Sequence, residues 1–173
     1  MMATVTSESL AGWLRGAVIG TLLTCRVATA PSPTSRPRFA RIGNFVRTYF
    51  AENYQTYVAD CMKRMAEHAE TFPIGGRPLV ARFDVIGARP KTTKLSSPRG
   101  DVDNYVKGAL DAATKAGLWS DDGRIETLIV TKRWAKPGEE PGVLLTVGEM
   151  NDEALEEVYE QPRAKPKATR KKA

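Results

Sequence analysis

Asp101, Asp103 and Lys107 fall within one short stretch, Gly100-Asp-Val-Asp-Asn-Tyr-Val-Lys107, and a second acidic pair, Asp121-Asp122, follows an intervening helical pattern. Carboxylates gathered at one point repel each other unless a cation sits among them. Oxygen donors of that kind suit Mg2+ or Mn2+. Lys107 stands four residues after Asp103, on the same helix face, where an ammonium can address a phosphate or a leaving oxygen. Each residue also has an ordinary structural use. Asp101 is a good N-cap, and acids in a first turn favour the helix dipole. Asp103 and Lys107 make an i,i+4 pair worth ~0.3–0.5 kcal/mol, and Asp121-Asp122-Gly123 is common turn chemistry. Spacing alone leaves both readings open.

Other chemistries are easier to exclude. A calcium loop fails because Tyr105 and Val106 stand where a ligand and a glycine are required. A sugar-nucleotide transferase also uses an Asp-x-Asp pair, but that motif alone is weak and the chain is short for the nucleotide-binding domain such enzymes carry. Cys25, Cys61 and the single histidine, His68, are too few for a disulfide framework or a Cys/His zinc site. A serine triad would rest on His68 alone.

The elements that must position these acids are legible from periodicity. With 173 residues, 42% of them hydrophobic, the chain reads as one globular domain with tails. Val18 to Ala28 is rich in apolar and β-branched residues and predicts a strand. Ala30 to Arg38 is a proline-broken loop, and Phe39 to Val46 is a short extended segment around Gly43. Tyr54, Tyr57, Val58, Cys61, Met62, Met65 and Ala69 follow helical spacing, so Asn53 to Glu70 reads as an amphipathic helix. Leu79 to Ile86 reads as a strand. Asp101 then opens a second helix, with Val102, Val106, Ala109, Leu110 and Ala113 as its apolar stripe and Gly117 just past its end. Arg124 to Trp134 and Val143 to Val147 read as two further strands. The order β-α-β-α-β-β predicts an α+β domain with a small mixed sheet and two main helices. Tyr54, Tyr57 and Trp119 are expected in the packing, and His68 on a helix surface.

Charge is unevenly spread. Residues 1–100 carry 14 basic and 6 acidic side chains, and residues 101–160 carry 6 basic and 14 acidic. Residues 161–173 carry 6 basic residues and no acid, so the whole net charge of +6 sits there. This stretch has two prolines and nothing apolar beyond alanine, which predicts disorder from about residue 161. Residues 1–17 read as a variable extension, 18–150 as the domain, and 151–173 as an acidic then basic tail. No stretch reaches the ~20 apolar residues of a membrane span. Arg15 to Cys25 makes a poor secretory signal, interrupted by two glycines. The cysteines are then expected as reduced thiols in a cytoplasmic protein.

Asp101-Val-Asp-Asn-Tyr-Val-Lys107-Gly-Ala-Leu-Asp-Ala, followed by Gly117-Leu-Trp-Ser-Asp-Asp122-Gly-Arg-Ile-Glu and Lys132, resembles the RusA family of Holliday junction resolvases. Ser35-Arg-Pro-Arg-Phe39 and Tyr54 to Tyr57 resemble the looser N-terminal part of its phage-type members, and the likeness spans about residues 20–150. The resemblance implies a RusA-like fold, with Asp101, Asp103 and Asp122 as the metal-site aspartates and Lys107 as the catalytic lysine. Asp121 is the neighbouring acid. It further implies a homodimer that cuts opposed strands of a four-way DNA junction with Mg2+, or Mn2+, leaving 5′-phosphate and 3′-hydroxyl ends. Gly100, where some members have a basic residue, and Gly123-Arg124, where Ser-Gln is frequent, depart from the pattern. They bear on DNA contacts and sequence preference rather than on the acids.

Arg89, Lys91, Lys94 and Arg99 form a basic loop just before the acids, and Arg36 and Arg38 precede the first helix; these are the expected DNA contacts. Residues 161–173 add a non-specific one. Two rivals remain at this point: a DNA-binding module of the same fold without activity, and a metal-dependent nucleotide phosphoesterase.

Overall fold

In this computed structural model the described residues are 12, 14, 16–34, 37–69 and 76–159. Strand β1 spans Val18–Val27, followed by β2 (Arg38–Ile42), β3 (Phe45–Tyr49) and helix α1 (Glu52–Ala69). Strand β4 (Leu79–Gly87) leads to α2 (Val102–Lys115) and a 3₁₀ turn, Asp122–Arg124. Strands β5 (Ile125–Trp134) and β6 (Gly142–Met150) follow, then α3 (Asp152–Tyr159).

The main sheet has the order β1-β6-β4-β5. Pairing is antiparallel for β1 with β6 and for β6 with β4, but parallel for β4 with β5. A parallel pair needs a crossover, and α2 supplies it. Strand β4 is internal, and Leu79, Val80, Ala81, Phe83, Val85 and Ile86 are buried, as a nearly continuous apolar run in a central strand should be. Burying a side chain such as Phe83 contributes ~1.5–3 kcal/mol.

One face of the sheet carries the two main helices. Helix α1 buries Tyr54, Tyr57, Cys61 and Met65, and α2 buries Val106, Ala109, Ala112 and Ala113, all in one core with Phe83, Leu145 and Val147. The helices meet closely at Gly108, where a Cβ would lie 2.9 Å from the Tyr54 ring. Trp119 is also buried, and its Nε1 donates to the Thr114 hydroxyl at 2.8 Å. On the other face Leu14, Ala17, Val80, Met150 and Ala154 form a second, smaller cluster.

The expected β-α-β-α-β-β order holds for the main sheet and its two helices. Two stretches carry more structure than the sequence suggested. The segment around Gly43 is a complete antiparallel hairpin, β2–β3. Residues 152–159, set aside as the start of an acidic tail, form α3, whose Ala154 is buried with Leu14 of the supposed extension. Arg36 and residues 161–173 lie outside the described residues. Among the described residues no helix is long and apolar enough to cross a membrane.

Candidate active site

The start of α2 is held from several sides. Gly100 has φ 92, a left-handed conformation that favours glycine, and its carbonyl accepts a hydrogen bond from Lys132 Nζ. The Tyr105 hydroxyl donates to the Arg99 carbonyl at 2.7 Å, and the Lys132 ammonium lies 5.9 Å from the centre of the same ring. The Thr34 amide and hydroxyl donate to the Asn104 carbonyl at 2.8 and 3.0 Å. This frame presents Asp101 at the N-cap position, but its side chain makes no capping hydrogen bond. Asp103 and Lys107 are exposed on the next turns. Among the described residues neither enters an ion pair, so the ordinary i,i+4 bridge is not formed.

The second acidic pair divides its labour. Asp121 Oδ1 accepts from the Gly123 amide at 2.7 Å and so builds the turn. Asp122 is exposed, and only its backbone carbonyl is used, accepting from the Ile125 amide. The carboxylate next to the turn-forming one is therefore left to solvent.

The expected convergence of the three aspartates does not occur within one chain. Asp101 and Asp103 sit where α2 begins, beyond the carboxyl end of β4. Asp122 lies past the other end of α2, just before β5, whose Ile125 pairs with Leu79 at the start of β4. Fourteen helical residues separate the two sites, a rise of about 21 Å. The strands give a second ruler: Lys132, beside Gly100, is seven residues along β5 from Ile125, about 23 Å. Accordingly, no cluster of three metal-ligating side chains exists among the described residues. The physical reason is that β4 and β5 are parallel, so α2 must run the length of the sheet between them. The carboxylates suit a hard cation by donor type, but a single chain does not gather the set.

Arg89, Lys91, Lys94 and Arg99 are exposed on the loop between β4 and α2. That loop is pinned: Trp134 Nε1 donates to the Leu95 carbonyl at 2.9 Å, and Pro98 is buried against Gly87 and Trp134. Arg38 belongs to β2. Lys107 lies on a groove of about 450 Å³ walled by α2 residues Asp111 and Lys115 and by Phe50, Tyr54, Val58 and Met62. Sequence reasoning gave no part to Lys132, Tyr105 or Trp134 in this frame. Lys132 stands in the quoted family pattern, but its contact with Gly100 depends on strand register, which no local signal encodes.

Exposed aspartates with no side-chain ion pair among the described residues thus stand with an exposed lysine and a pinned basic loop on an α+β sheet. The family model described as Endodeoxyribonuclease RusA matches residues 28–147. The chain is 32% identical over 131 residues to the Crossover junction endodeoxyribonuclease RusA of Shigella sonnei, covering 72% of this chain and 95% of that protein. The proteins of the same description from Escherichia coli K12 and E. coli O139:H28 are 32% and 33% identical over the same shares. The chain belongs to the RusA endodeoxyribonuclease family.

Proposed function

We propose that this protein is a structure-selective endodeoxyribonuclease that resolves Holliday junctions and related branched DNA by paired symmetric nicks, leaving 5′-phosphate and 3′-hydroxyl ends. The observation that carries this reading is that Asp101, Asp103, Lys107 and Asp122 stand exposed and, among the described residues, their side chains enter no ion pair or cap. Mg2+ is the proposed cofactor, with Mn2+ as a substitute. When bound, it supplies positive charge to the scissile phosphate and acidifies a neighbouring water.

Asp101, Asp103 and Asp122 would hold the ion, and the ends of α2 dictate how. Two sites about 20 Å apart in one chain meet only if Asp122 comes from a second copy. Strand β5 is an outer strand of the main sheet and runs between the two sites. A two-fold axis crossing it sets the Asp122 end of one copy against the Asp101 end of the other. The homodimer is then part of the site, and its symmetry supplies two equivalent centres for two equivalent strands. Lys107 stabilises charge on the departing oxygen. Arg89, Lys91, Lys94 and Arg99 hold the flanking phosphates, with Arg36, Arg38 and the basic stretch 161–173 extending the contact. A bare carboxylate cluster would repel DNA without them.

The test is nicking of a labelled synthetic four-way junction with Mg2+, beside Asp122→Asn and a linear duplex of the same sequence. Paired nicks in the junction, lost in the variant and absent from duplex, are expected. Tight junction binding with no cleavage in Mg2+ or Mn2+ would return the protein to a binding module.

A further inference from the structure

The hairpin β2–β3 is exposed all around its turn, with only Ala40 half-buried among its described side chains. All residues from Arg41 to Tyr49 face solvent, and Phe45, Phe39, Val46 and Ile42 are 80%, 69%, 68% and 58% exposed. Apolar display on this scale marks a contact surface. Gly43, at φ 62, is the first central residue of its two-residue turn, so Ile42 and Phe45 flank the tip as a directly opposed pair.

Three features say what the surface meets. The register places Ile42, Phe45 and Arg47 on one face and Phe39, Arg41 and Val46 on the other. Apolar and cationic groups therefore occupy both faces, which suits insertion between two walls better than coverage of one face by another subunit. Secondly, no acidic residue occurs from Ala30 to Ala51, while Arg36, Arg38, Arg41 and Arg47 do, so the charge complements a polyanion. Thirdly, the hairpin is rooted beside the site. Pro37, before β2, and Phe50, after β3, line the same groove as Lys107, and Thr34 is bonded to Asn104 in the first turn of α2.

We propose that β2–β3 is an arm that enters branched DNA where the strands exchange. Ile42 and Phe45 pack against bases left unstacked there, and Arg41 and Arg47 meet the adjoining phosphates. Aromatic groups read any base through its π-face, and apolar wedges hold steps apart, so such an arm selects structure rather than sequence. The inference rests on the branched-DNA reading above and names the part of the chain that recognises the branch.

The experiment uses the full chain, the double variant Ile42→Ala/Phe45→Ala, and Arg41→Gln/Arg47→Gln. Each is mixed, in EDTA, with an immobile four-way junction carrying 2-aminopurine at the crossover, or with a linear duplex. The tip variant should lose roughly tenfold or more in junction affinity, together with the fluorescence rise of the unstacked base. Its duplex affinity and its mass by light scattering should match the wild type. The arginine variant should weaken junction binding with a shallower salt slope. Unchanged junction affinity and fluorescence in the tip variant would overturn the proposal. So would an equal loss on duplex, or a fall in mass, which would make the hairpin a contact between copies. A wild type that opens the junction but does not cut it with Mg2+ fails the nuclease reading and leaves the arm standing. A wild type with no preference for junction over duplex sinks both.

Discussion

If Asp101 and Asp103 of one copy meet Asp122 of another, two inactive variants must rescue each other. Consider one subunit carrying Asp103→Asn and a second carrying Asp122→Asn. In their heterodimer one composite site contains both substitutions and the other contains neither. The argument rests on distance. Mg2+ holds its oxygen ligands at about 2.1 Å, so all its carboxylates must come within a few ångströms of one another. Helix α2 keeps the two acidic sites about 21 Å apart in each chain, and no rotation of aspartate side chains spans that. Heterodimers isolated through two different affinity tags should nick a labelled four-way junction at about half the wild-type rate, because one of two symmetric sites is intact. Cutting should fall on one strand only, yielding nicked junctions without resolved duplexes. Each variant alone should bind junction and cut nothing. A site built within one chain predicts no rescue, since both chains of the heterodimer would be defective. Heterodimers that bind normally and remain inert would refute the reasoning.

Two further outcomes concern the framework around the site. Gly108→Val places a branched side chain where Tyr54 and Val58 already lie 2.9 and 3.1 Å from an ideal Cβ. It should cost ~1–3 kcal/mol, read as a lower urea midpoint at unchanged slope, and an equal or higher midpoint would show that α1 and α2 do not approach this closely. The loop between β5 and β6 is clasped by Glu139, which accepts from Arg133 at 2.6 and 2.7 Å and from the Lys136 amide at 2.9 Å. The Arg133 hydrogen bonds, then that amide, hold its carboxyl down at about 2, from 4.5. A depressed carboxylate contributes stability above its unfolded value and loses it as pH falls through the folded one. Carboxyl NMR of Glu139 should therefore show a midpoint near pH 2 and an intact loop at pH 3.5; a midpoint near 4.5 would mean the clasp is open.

How much of this was legible follows from the range of each interaction. Tyr54, Tyr57, Cys61 and Met65 recur at helical spacing and are buried together, so α1 could be drawn almost to its ends. Strand β4 was legible from its own apolar residues, interrupted only by Arg82 and Asp84. The hairpin was half visible: Phe39 to Val46 read as an extended segment around Gly43, but neither its folding back on itself nor the exposure of Phe39, Ile42 and Phe45 was legible. Helix α3 was missed because its acidic sequence resembles a solvated tail, and its one buried alanine depends on Leu14, far away in the chain. The candidate site residues came from type and from resemblance to a family pattern, whereas their separation had no local signal. Whether Asp122 falls beside Asp103 or at the opposite end depends on β4 and β5 running parallel in the Leu79–Ile125 register. That is a long-range fact about strand direction, and a turn looks the same in sequence either way.

The acids left out of the fold are as informative as those drawn into it. Asp84 accepts from Arg82 and Thr131, Asp60 from Thr29, Glu139 from Arg133, and Glu67 and Asp152 from arginines. Asp121 supplies the one bond its turn requires. Among the described residues Asp101, Asp103 and Asp122 show no such side-chain bond, although Asp101 occupies a cap position and Asp103 has a lysine four residues on. An exposed carboxylate in water costs almost nothing, so stability neither requires these three nor resists their loss. Surface exchanges away from structural bonds usually stay within about 0.5 kcal/mol. An Asp→Asn change at any of them should therefore leave the domain folded, so that a lost activity reports on the site rather than on the fold. On the proposed reading, residues that match the family pattern and do no work in the folded chain would act outside it, toward DNA and toward a second copy.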